Sequence, residues 1–259
     1  MLIAQISDPH LSTSGAELYG GYVPDFAFAN VLERVAALRP RPDFVWLTGD
    51  LVENGLAEEY ANFRAKIAGF DLPTAAIPGN HDSRDAYVTG LAGTRLRIGA
   101  EPFLHLVVDD FPVRMIGLDS KGAEGEAAGH LSPERLDWLV ARLAEAPERP
   151  TAIFLHHPPF ETGIVASDAT RCLDGSALGR IVAANPQVRL VGAGHVHRAV
   201  LTPWAGTVAQ ICPSVAWATA LDLATDAKPR LEAQNPGFQL HLWTGNGFVT
   251  HTEFLADDF

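Results

Sequence analysis

The chain has 259 residues, with 19 Lys and Arg against 31 Asp and Glu for a formal charge of −12. That length buries one large core, and a 47% hydrophobic content excludes wholesale disorder. Three lysines and no basic run disfavour a long nucleic-acid partner, because phosphate backbones reward clustered cations.

No apolar run approaches the roughly 18 residues that a membrane span needs. The N-terminus carries neither the basic region nor the cleavage pattern of a secretory signal. Cys172 and Cys212 are too few for a disulfide scaffold and read as inert buried thiols. These features predict a cytoplasmic protein with no membrane partner.

In chain order, Leu2–Ser7 reads as a strand and Phe26–Leu38 as a helix capped by Asp25, with Phe28, Val31, Leu32 and Val35 at helical spacing. Phe44–Thr48 follows as a buried strand, Glu58–Phe70 as a helix and Thr74–Ile77 as a strand. Strand signals recur at Phe103–Val108 and Val113–Leu118. Pro133–Glu145 is a helix opened by Ser132 with proline at its first position. Thr151–Leu155 and Val188–Val191 are strands on either side of a helix near Ser176–Ala184. The remainder is strand-rich: Val200–Pro203, Thr207–Ile211, Phe238–Trp243 and Phe248–Phe254, the last two joined by an Asn246-Gly247 turn. Pro147–Pro150 and Ala224–Pro236 read as loops, and neither marks a domain boundary. This mix predicts an α/β (α+β) protein of one domain over residues 1–259, with two packed sheets or one mixed sheet flanked by helices.

Potential metal ligands sit where strands end. Asp8 and His10 follow the first strand, Asp50 the second, Asn80 and His81 the third. His156 and His157 close Thr151–Leu155, and His195 and His197 follow Val188–Val191. Six of the ten histidines fall in these five short segments, a concentration that chance placement does not produce. Ligand sites of open α/β sheets lie outside the carboxyl ends of strands, so the clusters are expected to converge. Of His156 and His157 only one is expected to reach the cluster, because adjacent residues of an extended chain point oppositely. Two aspartates, an asparagine and four histidines form a nitrogen and oxygen donor set without thiolate, suited to Fe, Mn, Zn or Co. Seven donors exceed one tetrahedral ion and suffice for two ions sharing a carboxylate.

The series Asp8-x-His10, Gly49-Asp50, Gly79-Asn80-His81-Asp82, His156 and Gly194-His195-x-His197 resembles the calcineurin-like metallophosphoesterase superfamily. Ser7-Asp8-Pro9-His10-Leu11, Leu18-Tyr19-Gly20 and His156-His157-Pro158-Pro159 are similar to its bacterial class III cyclic nucleotide phosphodiesterases and the related glycerophosphodiesterase. The resemblance implies a four-layer α-β-β-α sandwich with a small cap element that supports a homodimer or higher homo-oligomer. It implies that Asp8, His10 and His197 bind one divalent or trivalent ion and Asn80, His156 and His195 a second, with Asp50 bridging. His81 then lies at the scissile phosphate, and metal-bound hydroxide attacks a small anionic phosphodiester. The expected reaction is hydrolysis of 3′,5′-cyclic nucleotides such as cAMP to 5′-monophosphates; a glycerophosphodiester or aryl phosphodiester hydrolase and a non-catalytic interaction scaffold are the alternatives. Where the glycerophosphodiesterase carries a second histidine near substrate, alignment through Pro213-Ser214-Val215-Ala216 places Trp217. With Tyr19 and Phe160, Trp217 is a candidate pocket wall that favours stacking on a nucleobase or an aryl leaving group.

Overall fold

The computed structural model describes residues 1–19 and 21–256; Gly20 of the first loop lies outside the described residues. The chain opens with alternating strands and helices: β1 (Leu2–Ile6), α1 (Pro24–Ala37), β2 (Phe44–Thr48), α2 (Ala57–Ile67), β3 (Thr74–Ile77) and α3 (Arg84–Leu91). There follow β4 (Leu106–Val108), β5 (Arg114–Leu118), α4 (Pro133–Ala144), β6 (Thr151–Leu155), α5 (Val165–Asp168), α6 (Gly175–Ala183), β7 (Val188–Ala193), β8 (Val200–Trp204) and β9 (Thr207–Ile211). Four more strands complete the described chain: β10 (Ala218–Thr219), β11 (Leu231–Glu232), β12 (Gly237–Trp243) and β13 (Phe248–Phe254).

Two mixed sheets result, in the orders β13-β12-β1-β2-β3 and β4-β5-β6-β7-β9-β8. β1, β2 and β3 pair in parallel, as do β5, β6, β7 and β9, while the outer strands add antiparallel partners. Buried apolar side chains form three clusters, which is what four layers require. One packs the first sheet on α1, α2 and α3, and one packs the second sheet on α4 and α6. The third lies between the sheets, where Trp46 stacks on Phe154 at 4.9 Å. Strands β2, β5 and β6 are buried along their whole length because each meets another layer on both faces. The fold is a four-layer α-β-β-α sandwich.

Local departures from the sequence reading have local causes. Helix α1 begins at Pro24 with Val23 as its N-cap, because the Asp25 carboxylate is engaged by the Gly15 amide and the Asn62 side chain. The loop between β12 and β13 spans Thr244–Gly247, and Gly245 rather than Asn246 takes the left-handed conformation. β4 starts only at Leu106, since His105 turns its Nδ1 to accept from the Asp119 amide. Within the stretch read as a loop, β11 pairs with β10 in a small two-stranded sheet. Among the described residues no helix is long and apolar enough to cross a membrane.

Candidate dinuclear metal centre

The parallel strands deliver their carboxyl ends to one place. His156 Nε2 lies 3.2 Å from Asp50 Oδ2 and 3.1 Å from Asn80 Oδ1. His195 Nδ1 reaches the same Asn80 oxygen at 3.0 Å. On the other side His10 Nε2 is 3.1 Å from His197 Nε2 and 3.7 Å from Asp50 Oδ2, and His197 Nε2 is 3.4 Å from Asp8 Oδ1. The donors thus fall into two groups, Asp8-His10-His197 and Asn80-His156-His195, with Asp50 between them.

The outer nitrogen of each imidazole states what the inner one can do. His10 Nδ1 donates to Glu53 Oε2 at 2.7 Å, His156 Nδ1 to the Thr48 carbonyl at 2.8 Å and His197 Nδ1 to the Trp217 carbonyl at 2.9 Å. These oxygens only accept, so in the neutral rings all three Nε2 atoms carry lone pairs. The Thr170 hydroxyl donates to the Ser167 carbonyl and stands 2.8 Å from His195 Nε2, which leaves the His195 lone pair on Nδ1. In the neutral rings the lone pairs therefore face one another and two carboxylates across 3.1 to 3.7 Å, an arrangement that repels unless cations lie between them. Among the described residues no Lys or Arg pairs with Asp8 or Asp50, which are 0% and 2% exposed. Buried carboxylates either pair or coordinate metal, so this donor set fits metal ions.

Charge within the cluster is already polarised. Burial opposes ionisation of Asp8 and Asp50, but His197 and His156 outweigh it for Asp8, and His156 and His81 for Asp50, so both stay below the ordinary range. Burial also opposes a proton on His156, yet Asp50 and Asp8 lift it to about 9. Burial and the neighbouring His156 push His195 down to about 3. Among the donors, the favoured proton on His156 sits where a cation would, and ion binding would displace it.

The backbone is bent to the task. Asp8, His10, Asp50, His195 and His197 all have positive φ, among only seven such non-glycine residues described. The turns aim amides as well as side chains: the His195 N–H points at both Asp8 oxygens at 3.1 Å, and the His81 N–H donates to Asp50 Oδ1 at 2.8 Å. At Gly79 a Cβ would sit 2.2 Å from Asp50 Oδ1, so only glycine lets this turn close on the central carboxylate. Asp82 pins the same turn by accepting from the Gly79 and Leu51 amides and from Tyr60 Oη.

Around the donors the other candidates separate. His81 is one-third exposed at 34%, stands edge-on to His10 at 4.7 Å and donates its Nδ1 to the Glu53 carbonyl. Trp217 is 7% exposed, packed 4.9 Å from the His10 ring and 4.5 Å from the Tyr19 ring. Tyr19, at 58% exposed, carries the open aromatic surface, and a cleft of about 310 Å³ runs from this pair to Glu232 and Gln234 beside β11. Phe160 belongs to the apolar cluster beneath the second sheet, and packing accounts for it. His157 has both nitrogens engaged, by Ser120 and the Ala127 carbonyl, while its ring lies 4.7 Å from that of His195.

Two residues escaped the sequence reading. Glu53 receives His10 and, at 2.7 Å, the Tyr19 hydroxyl; its position three residues beyond Asp50 was the available signal. Lys121, 1% exposed, donates its ammonium to the Asn80 carbonyl at 2.9 Å. Its rarity in the chain was the available signal there.

Comparison with known proteins bears on the family and the fold. A family model described as calcineurin-like phosphoesterase matches residues 1–199. The chain is 35% identical over 266 residues to the probable glycerophosphodiester phosphodiesterase GpdQ of Arcobacter nitrofigilis, covering 99% of this chain and 94% of the relative. It is 31% identical over 261 residues to the 3′,5′-cyclic adenosine monophosphate phosphodiesterase CpdA of Escherichia coli, covering 98% and 90%. In fold it is similar to a dimetal phosphatase from Danio rerio, with a TM-score of 0.67 at 13% identity over 98% of this chain and 99% of that one. It is equally similar to GAP50, the anchor in the inner membrane complex of Plasmodium, with a TM-score of 0.66 at 14% identity over 98% and 88%. On the family match and the full-length relatives, the chain belongs to the calcineurin-like phosphoesterase family.

Proposed function

We propose that this chain hydrolyses small phosphodiesters, foremost 3′,5′-cyclic nucleotides to 5′-monophosphates, with the help of two transition-metal ions drawn from Fe, Mn, Zn and Co. The observation that carries this reading is the set of imidazoles whose outer nitrogens are tied down and whose inner nitrogens face buried carboxylates that no Lys or Arg of the described residues pairs. Asp8, His10 and His197 would hold one ion, Asn80, His156 and His195 the other, and Asp50 both. Bound, such a pair supplies Lewis-acid polarisation of the phosphoryl oxygens and activation of water.

The chain's own groups do the rest. His81 is a partly exposed imidazole beside the donors, and although burial opposes its proton, Asp50 and Glu53 outweigh that and raise its pKa. It is therefore suited to bind a phosphoryl oxygen and to pass a proton to the departing alcohol. Tyr19, backed by Trp217, offers an aromatic wall for a base. A glycerophosphodiester is the second reading, supported by the 35% identity to a protein named for that activity. A non-catalytic scaffold would have no need of the complete donor set. We further infer a cytoplasmic location and a homodimer or higher homo-oligomer, with β10 and β11 forming the small cap.

The test compares kcat/KM for cAMP, glycerophosphoethanolamine and bis(p-nitrophenyl) phosphate on Mn²⁺-reconstituted protein before and after chelation. Chelation should abolish all activity, and cAMP should exceed glycerophosphoethanolamine. The reverse order moves the assignment to the second reading, and activity that survives chelation overturns the metal requirement.

A further inference from the structure

Between the sheets, the apolar cluster gives way near the strand ends to a fully buried polar seam. Alternation along β1 sends Ile3 and Gln5 into the space between the sheets and Ala4 and Ile6 toward the helices. Gln5, 0% exposed, donates its Nε2 to Thr48 Oγ1 at 3.0 Å and to the Ala193 carbonyl at 2.9 Å. Its Oε1 accepts from His241 Nε2 at 3.1 Å. The amide orientation follows from its partners, since the Ala193 carbonyl can only accept. His241 is consistent with it: its Nδ1 takes a hydrogen bond from Gln210 Nε2, which leaves the ring proton on Nε2 facing Gln5.

The two residues that Gln5 ties together are the last of β2 and the last of β7, in different sheets. Thr48 lies two residues before Asp50, and its carbonyl holds the His156 ring. Ala193 lies two residues before His195. The backbone makes room for the clasp, because a Cβ at Gly192 would lie 2.7 Å from Gln5 Oε1. An apolar side chain would suffice to glue two sheets, as Ile3, Trp46 and Phe154 do nearby. A buried carboxamide with both ends satisfied adds a fixed direction and distance instead.

We propose that Gln5 is a positioning residue that sets the gap between the sheets at the level of the metal ligands. It acts chiefly on the Asn80-His156-His195 group, which draws two donors from each sheet when Asp50 is counted. The inference rests on the two-ion reading above.

The experiment titrates metal-free wild type, Gln5→Met and Thr48→Val with Mn²⁺, following stoichiometry by calorimetry and spin coupling by EPR. Ile153→Val, a buried change between the second sheet and its helices, serves as the stability control. Gln5→Met should bind the first ion within about threefold of wild type and the second about 10-fold more weakly, in keeping with other changes behind metal ligands. Its coupled di-manganese EPR signal should weaken in step. Thr48→Val, which keeps the carbonyl that holds His156, should show the same second-ion loss in smaller measure and carries the test if Gln5→Met does not fold. Ile153→Val should lower the Tm and leave both affinities alone. Unchanged second-ion affinity in both seam variants, or parallel loss at both sites matching the control, overturns the clasp. A wild-type chain that takes up fewer than two ions overturns the two-ion reading instead.

Discussion

The two sheets bring opposite chemistries to the centre they share. The first contributes both carboxylates and the carboxamide, from Asp8, Asp50 and Asn80, together with His10 and His81; the second contributes imidazoles alone, His156, His195 and His197. The anionic wall is braced by backbone amides and tight turns, as at Gly79 and Asp82. The imidazole wall is braced by carbonyls and a hydroxyl that choose a tautomer. One wall sets the charge and the other sets the direction of lone pairs, so the walls should fail differently.

The largest effect should come from the anionic side. Asp50→Ala removes the carboxylate between both donor groups, and Mn²⁺ affinity at both should fall by at least ~100-fold, above the range for residues behind the ligands. His156→Ala should instead spare the Asp8-His10-His197 group, so metal analysis should read two ions lost in the first variant and one in the second. Equal losses would erase the distinction between the walls. Next, His81→Ala should keep full metal content while kcat falls about 10²- to 10⁴-fold, most of all with poor leaving groups. Unchanged turnover of such substrates would remove His81 from the chemistry. The smallest effect is expected at Glu53→Gln, which keeps an acceptor for His10 but removes the charge behind it. First-ion affinity should drop about 10-fold with the second left intact, as ion-resolved titration would show.

How much of this was legible in the sequence depended on distance along the chain. The convergence of the strand-end Asp, Asn and His side chains was readable because each motif is local and strand polarity gathers them. Helix α3 was missed because only Tyr87 and Leu91 of Arg84–Leu91 are buried, too sparse a stripe to register as a period. Glu53 and Lys121 were missed for another reason. Each acts on a residue about forty positions away, His10 or Asn80, and no local pattern marks such a pairing. Trp217 was placed near the site by alignment, but its burial behind Tyr19 follows only from the packing of β10 and the first loop. The clasp at Gln5 belongs to the same class, since a single glutamine in an otherwise apolar strand reads as an exception until the facing sheet is in view.

The left-handed backbone at five of the proposed metal-ligand positions bears on how such a chain could be evolved in the laboratory. A non-glycine residue in that conformation costs on the order of 1 kcal/mol, less for Asp and His than for most. Glycine at Asp8, Asp50 or His197 would relax the backbone while deleting a donor. A library screened for heat resistance in chelating buffer should therefore drift toward glycine and asparagine at these sites, and its most robust survivors should be the least able to hold metal. Screening in the presence of the ions reverses that pressure, because binding then stabilises the very conformations that the bare chain disfavours.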